Sequence, residues 1–236
     1  MNRRKFMKTL PAVTALAGGA SALAAGTCGG SQDLKPVDLV KPGPEGGDSV
    51  MKALRNRRTT RDISPKKLSP ELLSGLLWAA FGVNRDRSGF GRPGRTAPSA
   101  SNSQEIDLYV AMAEGVFLYE AVPHRLVPVV PGDFRSLAGR NGGTAAPVHL
   151  FFVADLSRYD LGPGQPDPHI KDAEVQKSYY YADTGFIAQN VYLFAAAHGL
   201  AAWFRNCRRE DAAREFRLKP DQRVLFAQSV GFPSKS

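Results

Sequence analysis

Two segments near residues 50 and 75 carry the sequence signals of α-helices. The clearer one starts at Ser69, a good N-cap that is followed by proline, and is predicted to end near Gly82. Its buried face consists of residues that recur at helical spacing: Leu72, Leu73, Leu76, Leu77, Ala80 and Phe81. A shorter helix is predicted before it, capped by Asp48 or Ser49 and running through Leu54.

A longer helix is predicted late in the chain, from about Asp183 to His198. Gly199 supplies the stop signal. One side of this helix carries the apolar residues Ile187, Val191, Phe194 and Ala195. Residues 209–217 are predicted to form a further, short helix.

Residues 106–112 alternate between two kinds of side chain, which predicts a half-buried strand. Ile106, Leu108, Val110 and Met112 form its apolar side, and the other side consists of Asp107, Tyr109 and Ala111. Glu114 and Gly115 turn the chain into a second strand at 116–119. Residues 125–130 are predicted as a third, proline-interrupted edge strand.

Two further strands complete the pattern. Residues 148–153 are apolar on both faces except for His149, as expected of a central strand. Residues 224–230 form the last strand. Because consecutive strands have long helices before and after them, the sequence predicts an α+β fold with a mostly antiparallel sheet flanked by helices.

The N-terminal residues 1–26 resemble a twin-arginine export signal. They combine a basic start (Arg3, Arg4, Lys5 and Lys8) with a short apolar stretch and small residues near Ala24. A basic amphipathic helix or a membrane anchor is the alternative. Residues 27–48, rich in Gly, Pro and Asp, are interpreted as a flexible linker, and residues 49–236 as the folded domain. The expected destination is the periplasm or another extracytoplasmic site.

Charge and cysteine content exclude several classes of function. The formal charge of +9 falls to +5 without residues 1–26, which hold four basic residues and no acid. Aromatic residues are not interleaved with the basic runs, so we expect neither a nucleic-acid partner nor stable membrane insertion after signal removal. Cys28 and Cys207 are too few for a disulfide framework and lack zinc-ligating neighbours, so no metal is expected.

Gly89, Gly91 and Gly94 match the spacing of a dinucleotide-binding turn. That turn follows a buried strand and opens a helix, whereas this segment follows the polar run 84–88 and contains Pro93. We therefore interpret it as a flexible loop.

Two other segments are better suited to hold a cofactor. Residues 57–61 place three guanidinium groups and two hydroxyls within five positions, which can grip a phosphate. A solvated basic turn is the alternative interpretation. Residues 98–104 are small and polar, so a flat ring can approach the backbone and find donors and acceptors for its polar edge. A plain serine-rich turn remains the alternative there.

The joint order of four segments resembles the nitroreductase family. These segments are RRTTR at 57–61, PSASNSQ at 98–104, the helix ending in Gly199–Leu200, and the closing VLFAQSVGFP. The resemblance covers roughly residues 50–233 and implies an intertwined homodimer with FMN at the subunit interface. The middle strands look closer to the branch that contains azoline-forming peptide dehydrogenases.

The resemblance also assigns roles to individual positions of this sequence. The FMN phosphate, ribityl chain and pyrimidine edge would be held by Arg57, Arg58, Thr59 and Arg61. The partner subunit would contribute Pro98, Ser99, Ala100, Ser101 and Asn102. A loop past the reactive N5 edge would contain Leu200, Ala201, Ala202 and Trp203, and Lys235 would substitute for a missing basic tail. Glu105 and Ile106 stand where many members have Pro-Trp.

The implied activity is ping-pong two-electron transfer to or from a small organic substrate such as a nitroaromatic or a quinone. The flavin carries the chemistry, so no catalytic side chain is assigned. NAD(P)H is a doubtful donor because nicotinamide cofactors are scarce outside the cytoplasm. The alternatives are dehydrogenation of a peptide-like or heterocyclic substrate, and a protein that binds flavin without turnover. The sequence does not name the donor, the acceptor or the substrate.

Overall fold

A seven-stranded, wholly antiparallel sheet forms the centre of the protein in a computed structural model, which describes residues 33–41, 47–139, 145–160 and 168–234. In chain order the elements are β1 (Val37–Asp38), α1 (Val50–Asn56), α2 (Pro70–Phe81), β2 (Val83–Arg85), β3 (Gly94–Arg95), β4 (Ile106–Ala111), β5 (Gly115–Glu120), β6 (Arg125–Pro131), β7 (Val148–Asp155), α3 (Ala173–Ala197), β8 (Ala201–Arg205), α4 (Arg209–Glu215) and β9 (Gln222–Gly231). The order in the main sheet is β1-β6-β5-β4-β7-β9-β8, and β2 pairs with β3 separately. The predicted α+β fold is confirmed.

Both faces of the sheet are covered, so the core has two layers. One layer packs α2 and α3 on the sheet and contains Leu76, Leu77 and Val191 among its fully buried side chains. The other layer surrounds Phe216, which lies just after α4 and contacts Phe151 with ring centroids 5.1 Å apart. Alternate residues of each central strand therefore enter different layers.

The interpretation of residues 106–112 as a half-buried strand is wrong. All six residues of β4 are buried, because β5 and β7 flank the strand and the second core layer covers its more polar face. On that face the Tyr109 ring stacks on Phe216 with centroids 5.8 Å apart, and Asp107 forms an ion pair with Arg158 at 2.6 Å. The two kinds of side chain that alternate in this strand therefore face two different core layers, and neither face is exposed to solvent.

The two helices at the start of the domain agree with prediction. Ser49 and Ser69 accept hydrogen bonds from backbone N–H groups in the first turns of α1 and α2. Helix α1 continues to Asn56, two residues beyond its predicted end at Leu54. Helix α4 ends at Glu215, two residues before its own predicted end at residue 217.

Helix α3 begins ten residues earlier than predicted. Asp172 caps it by accepting from the backbone N–H groups of Glu174 and Val175. Residues 173–182 are exposed or half-buried, so this part of the helix shows no apolar periodicity that would reveal it. The C-terminal stop is as predicted, since Gly199 has a φ of +65° that favours glycine.

Strand β6 was predicted to be an edge strand, but the two-residue strand β1 pairs with it and forms the edge of the sheet instead. Val37 pairs with Leu126, Asp38 pairs with Arg125, and the Leu39 N–H donates to the His124 carbonyl at 3.0 Å. This stretch lies within the residues interpreted as a linker, and it packs on the domain.

The glycine segment forms no dinucleotide turn. Gly89–Gly91 is a single 3₁₀ turn, and Gly94 belongs to β3 in a small ribbon with β2, so this part of the predicted loop is ordered. No helix follows it. Residues 1–26 lie outside the described ranges. Within those ranges, no helix is both long and apolar enough to span a bilayer.

Replacement of Phe216 by alanine should remove the centre of the second core layer. Phe216 is 2% exposed and touches the rings of Tyr109, Phe134 and Phe151. We expect the free energy of unfolding to fall by about 3–5 kcal/mol, measured by urea denaturation. Phe90→Ala is the matched control, because Phe90 is 55% exposed and should cost less than about 1 kcal/mol. Equal losses in the two variants would contradict this description of the core.

Candidate functional site

Residues 57–61 leave the end of α1 and run alongside β8. The Thr60 N–H donates to the Ala202 carbonyl at 3.0 Å, which ties the segment to the strand. The Thr59 hydroxyl lies 3.0 Å from the Tyr192 hydroxyl, and the Tyr192 oxygen also accepts the Phe204 N–H at 2.9 Å. Helix α3 thereby connects the basic segment to β8 through one tyrosine.

The side chains of this segment alternate in direction, as expected of extended backbone. Arg58 and Thr60 line a cavity of about 430 Å³ that also includes Leu200 and Ala201. Arg57 instead lies over the Tyr192 ring, with its guanidinium carbon 5.5 Å from the ring centroid. The structure therefore brings two of the three predicted cofactor-binding segments together.

The three arginines of this segment have no acidic ion-pair partner in the described part of the chain. Among the described residues, none of Arg57, Arg58 and Arg61 forms an ion pair, although seven ion pairs involving other arginines are present. Arg58 and Arg61 are exposed and Arg57 is half-buried. Fork-shaped donors without an acid partner form a suitable site for a phosphate or carboxylate.

The prediction that residues 200–203 form a loop is wrong. Leu200 donates its N–H to the Ala195 carbonyl, which closes α3, and β8 starts at the next residue. The strand pairs with β9 along the edge of the sheet, with Ala201 opposite Gly231 and Trp203 opposite Ser229. Only three residues, 198–200, separate α3 from the edge strand, which leaves no room for the expected loop.

Arg205, at the end of β8, is a basic residue of this region that sequence reasoning missed. Its guanidinium carbon lies 4.1 Å from the centroid of the Trp203 ring, and the Arg61 guanidinium carbon lies 5.5 Å from the same centroid. The buried Nε and Nη2 atoms of Arg205 have no hydrogen-bond partner. Burial lowers the pKa of this guanidinium from its usual value. A basic residue that directly follows the apolar run 200–204 was the available signal.

The third segment, 98–102, lies elsewhere on the molecule. It forms a 3₁₀ turn at Ala100–Asn102, and the Ala100 N–H donates to Asp183 Oδ2 at 3.0 Å. Asp183 precedes Tyr192 on α3 by nine residues, which is about 14 Å along the helix axis. No hydrogen bond, ion pair or ring contact among the described residues joins this segment to residues 57–61. Lys235 lies outside the described residues.

Two residues of kinds that often act as bases or nucleophiles, His149 and Cys207, are buried and do not line the cavity, whereas Tyr192 does line it. His149 is fully buried, its Nδ1 lies 2.8 Å from the Ser229 hydroxyl, and burial lowers its pKa to about 3. Burial raises the pKa of the Cys207 thiol to about 11. Clusters of three or more metal-ligating side chains are not found in the described part of the chain. The site is thus suited to binding and orienting a ligand.

The fold and the site together define an α+β protein with a basic cavity at the edge of an antiparallel sheet. The sequence profile described as "Nitroreductase family" matches residues 54–232. The chain belongs to the nitroreductase family. Membership indicates a flavin-dependent oxidoreductase.

Individual relatives agree with this assignment. A protein of Methanocaldococcus jannaschii whose name places it among the nitroreductases is 29% identical over 189 residues, covering 75% of this chain and 88% of the relative. A solved structure from Ralstonia eutropha JMP134, also described as a nitroreductase, is 32% identical with a TM-score of 0.76, covering 88% of this chain and 93% of the other.

A more distant solved structure shares the fold alone. It is the Escherichia coli microcin synthetase McbBCD complex with truncated pro-MccB17 bound, 17% identical with a TM-score of 0.58. The match covers 82% of this chain and 77% of the other.

Proposed function

We propose that the protein is an FMN-dependent oxidoreductase that works as a homodimer. In this proposal it transfers two electrons in a ping-pong manner to or from a small organic substrate, such as a nitroaromatic or a quinone. The observation that carries the proposal is the set of guanidinium groups in residues 57–61 that form no ion pair among the described residues. Arg58 lines the cavity, Arg57 lies over Tyr192, whose side chain also lines it, and Arg61 lies over Trp203.

The residues present fit the phosphate end of FMN. A phosphate monoester has close to two negative charges at neutral pH and three acceptor oxygens. Arg57, Arg58 and Arg61 supply unpaired cationic donors, and the Thr59 hydroxyl is held beside them by Tyr192. The backbone of Leu200–Trp203 borders the same cavity through Leu200 and Ala201, so it would flank the ring system.

The position of residues 98–102 supports the dimer. Within one chain this segment is attached to Asp183, about 14 Å along the α3 axis from Tyr192 at the cavity, and it is not among the residues that line the cavity. In an intertwined dimer the same segment of a second subunit could do so. We propose that Pro98, Ser99, Ala100, Ser101 and Asn102 act across the interface in this way, and that Lys235 adds a phosphate contact.

The protein's own contribution is binding and orientation. When bound, FMN supplies the two-electron redox chemistry. In this proposal Arg57, Arg58, Thr59 and Arg61 hold the cofactor. The positive charge of the three arginines would stabilise negative charge on the reduced flavin. His149 and Cys207 are buried and do not line the cavity, so neither is given a role toward the substrate.

Dehydrogenation of a peptide-like or heterocyclic substrate is a second candidate. The resemblance of residues 106–131 to the azoline-forming branch supports it, as does the shared fold with the microcin synthetase complex. A third candidate is a protein that binds flavin without turnover.

We also propose export by the twin-arginine route, with 1–26 as the signal. The basic run at Arg3, Arg4, Lys5 and Lys8 before an apolar stretch supports this proposal. An extracytoplasmic location disfavours NAD(P)H as the donor and favours a quinol or a redox protein.

The Arg57→Ala/Arg61→Ala double variant should lose FMN. Hydrogen bonds to charged groups are worth about 1.5–3 kcal/mol each, so two lost contacts weaken binding by about a hundredfold or more. The measurement is flavin content from the visible spectrum, followed by titration of the apoprotein with FMN. Arg125→Ala/Arg214→Ala is the control, because it removes the same charge from two partly exposed residues with local acid partners. Full FMN retention by Arg57→Ala/Arg61→Ala would refute the site.

Mixed dimers should show that two subunits build each site. Pro98 is exposed in the single chain, so Pro98→Asp should fold and repel the phosphorylated cofactor of the neighbouring subunit. Homodimers of Pro98→Asp and of Arg57→Ala/Arg61→Ala should both lack FMN. A doubly tagged heterodimer should contain one intact site and bind one FMN. A heterodimer without FMN would indicate that both segments serve the cavity of their own chain.

Anaerobic donor and acceptor assays should separate the candidate functions. We expect a quinol to reduce the bound flavin faster than NADH or NADPH, and nitrofurazone or menadione to reoxidise it. Faster turnover with an azoline-forming peptide would favour the second candidate. Flavin absorbance that no donor bleaches would favour the protein that only binds flavin.

A further inference from the structure

Two carboxyl groups are buried together beside the 98–102 segment. Glu105 directly precedes β4 and is 0% exposed, and Asp183 lies in α3 and is 4% exposed. Within the described residues, no lysine, arginine or histidine forms an ion pair with either acid. Burial of an unpaired charge costs much free energy, so such a pair needs another form of neutralisation.

A proton on Asp183 provides that neutralisation. Asp183 accepts the Ala100 N–H, and Glu105 accepts the hydroxyl of Ser103, three residues further along the same turn, so the two buried side chains converge on one short segment. Two carboxyl groups that interact in a buried space are stabilised when one of them is protonated. Ser103 Oγ donates to Glu105 Oε2 at 2.6 Å, whereas Glu105 Oε1 has no hydrogen-bond partner among the described residues. Burial and the neighbouring Glu105 carboxyl raise the pKa of Asp183 from 3.8 to about 8.

The same pair anchors a strained turn. Ser101, Asn102 and Gln104 have φ values of +50°, +50° and +53°, a region that residues other than glycine adopt only at a cost. Local hydrogen bonds support the turn: the Gln104 N–H donates to Ser99 Oγ at 3.0 Å, and Gln104 Nε2 donates to Asn102 Oδ1 at 2.9 Å. The bond from the Ala100 N–H to Asp183 connects the turn to α3.

Other charged groups contact the turn without neutralising the pair. Arg92 donates to the Ser103 carbonyl, and Arg95 donates to Gln104 Oε1 at 2.8 Å. Arg158 donates to the Gln104 carbonyl at 2.7 Å, but its charge is already paired with Asp107 and Asp155.

Tyrosines complete the surroundings of the pair. The Tyr159 hydroxyl donates to the Gln176 carbonyl at 3.3 Å, and burial together with Glu105 and Asp183 raises the pKa of this phenol. Tyr180 approaches Tyr159, and burial raises its pKa as well. Both phenols therefore stay protonated at neutral pH and add no charge beside the two acids.

We propose that Glu105 and Asp183 are positioning residues whose proton-linked carboxyl pair holds the 98–102 turn in the shape that closes the cofactor site of the second subunit. This inference rests on the proposed function, because the turn must face FMN for its shape to matter there. Loss of the Asp183 proton places two negative charges in a buried space. Repulsion between the two carboxylates then moves them apart and, because each is hydrogen-bonded to the turn at Ala100 or Ser103, displaces the turn. FMN affinity should consequently fall when the pH rises above about 8.

The test compares the full-length protein with Asp183→Asn between pH 7 and pH 9.5. The FMN phosphate is fully ionised throughout this range, because its second pKa is about 6. For a single linked proton, wild-type FMN affinity should fall by up to about tenfold for each pH unit above the pKa of Asp183. Asparagine can accept from the Ala100 N–H and donate to Glu105 at every pH, so the affinity of Asp183→Asn should change less than about twofold. Glu105→Gln is the second variant and should also lose the pH dependence.

Two flavin-independent measurements separate failure of this proposal from failure of the proposed function. The infrared carbonyl band of a protonated carboxyl group should be present at pH 7 in the wild type, absent in Asp183→Asn, and lost above about pH 8. Proteolysis within residues 98–104 should increase over the same pH range in the wild type alone.

The free energy of unfolding should also depend on pH through protonation of Asp183. Because the pKa of Asp183 is raised in the folded state, the unfolding free energy of the wild type should fall relative to Asp183→Asn as the pH rises from about 4 to about 8. If FMN binds to no form of the protein but the infrared, proteolysis and stability results are as expected, the carboxyl pair exists and the proposed function is wrong. Identical pH profiles in wild type and both variants would overturn the inference.

Discussion

The attachment of residues 57–61 to β8 is the constraint on which the candidate site depends. One backbone hydrogen bond, from Thr60 to Ala202, fixes the direction of the segment, and alternation then sends Arg58 into the cavity. The hydroxyl of Tyr192 connects Thr59 with the backbone of Phe204, so helix α3 determines how far the basic segment lies from the strand. A set of cations that would repel one another in an unfolded chain is thereby held in one place. Such an arrangement favours an anionic ligand.

Helix α3 also explains why the site is divided. Its C-terminal half supports the basic segment, and its N-terminal half supports the 98–102 turn through Asp183. The two segments are attached to α3 about 14 Å apart along the helix axis. In the proposed intertwined dimer, the 98–102 turn of one subunit would lie beside the basic segment of the other.

The edge of the sheet has a different chemistry from its centre. At the centre, β4 and β7 are buried on both faces. Asp107 forms an ion pair with Arg158 there, and His149 Nδ1 lies beside the Ser229 hydroxyl, although His149 Nε2 has no partner among the described residues. At the edge, β8 presents Trp203 with two guanidinium groups near its ring. The unpaired donors of Arg205 show that polar groups near this edge are not all satisfied by the chain itself.

Local sequence determined the parts of the protein whose signals are short-range. The caps at Ser49 and Ser69, the stop at Gly199 and the apolar run of β7 follow from neighbouring residues, and the ordered set of motifs was enough to recognise the family. Tertiary structure decided the burial of both faces of β4, because the second layer around Phe216 comes from residues a hundred positions away. Tertiary structure also decided that 201–205 is a strand, because these residues pair with β9. It likewise brought Glu105 close to Asp183. Contacts between distant segments have no local signature, so no reading of neighbouring residues could supply them.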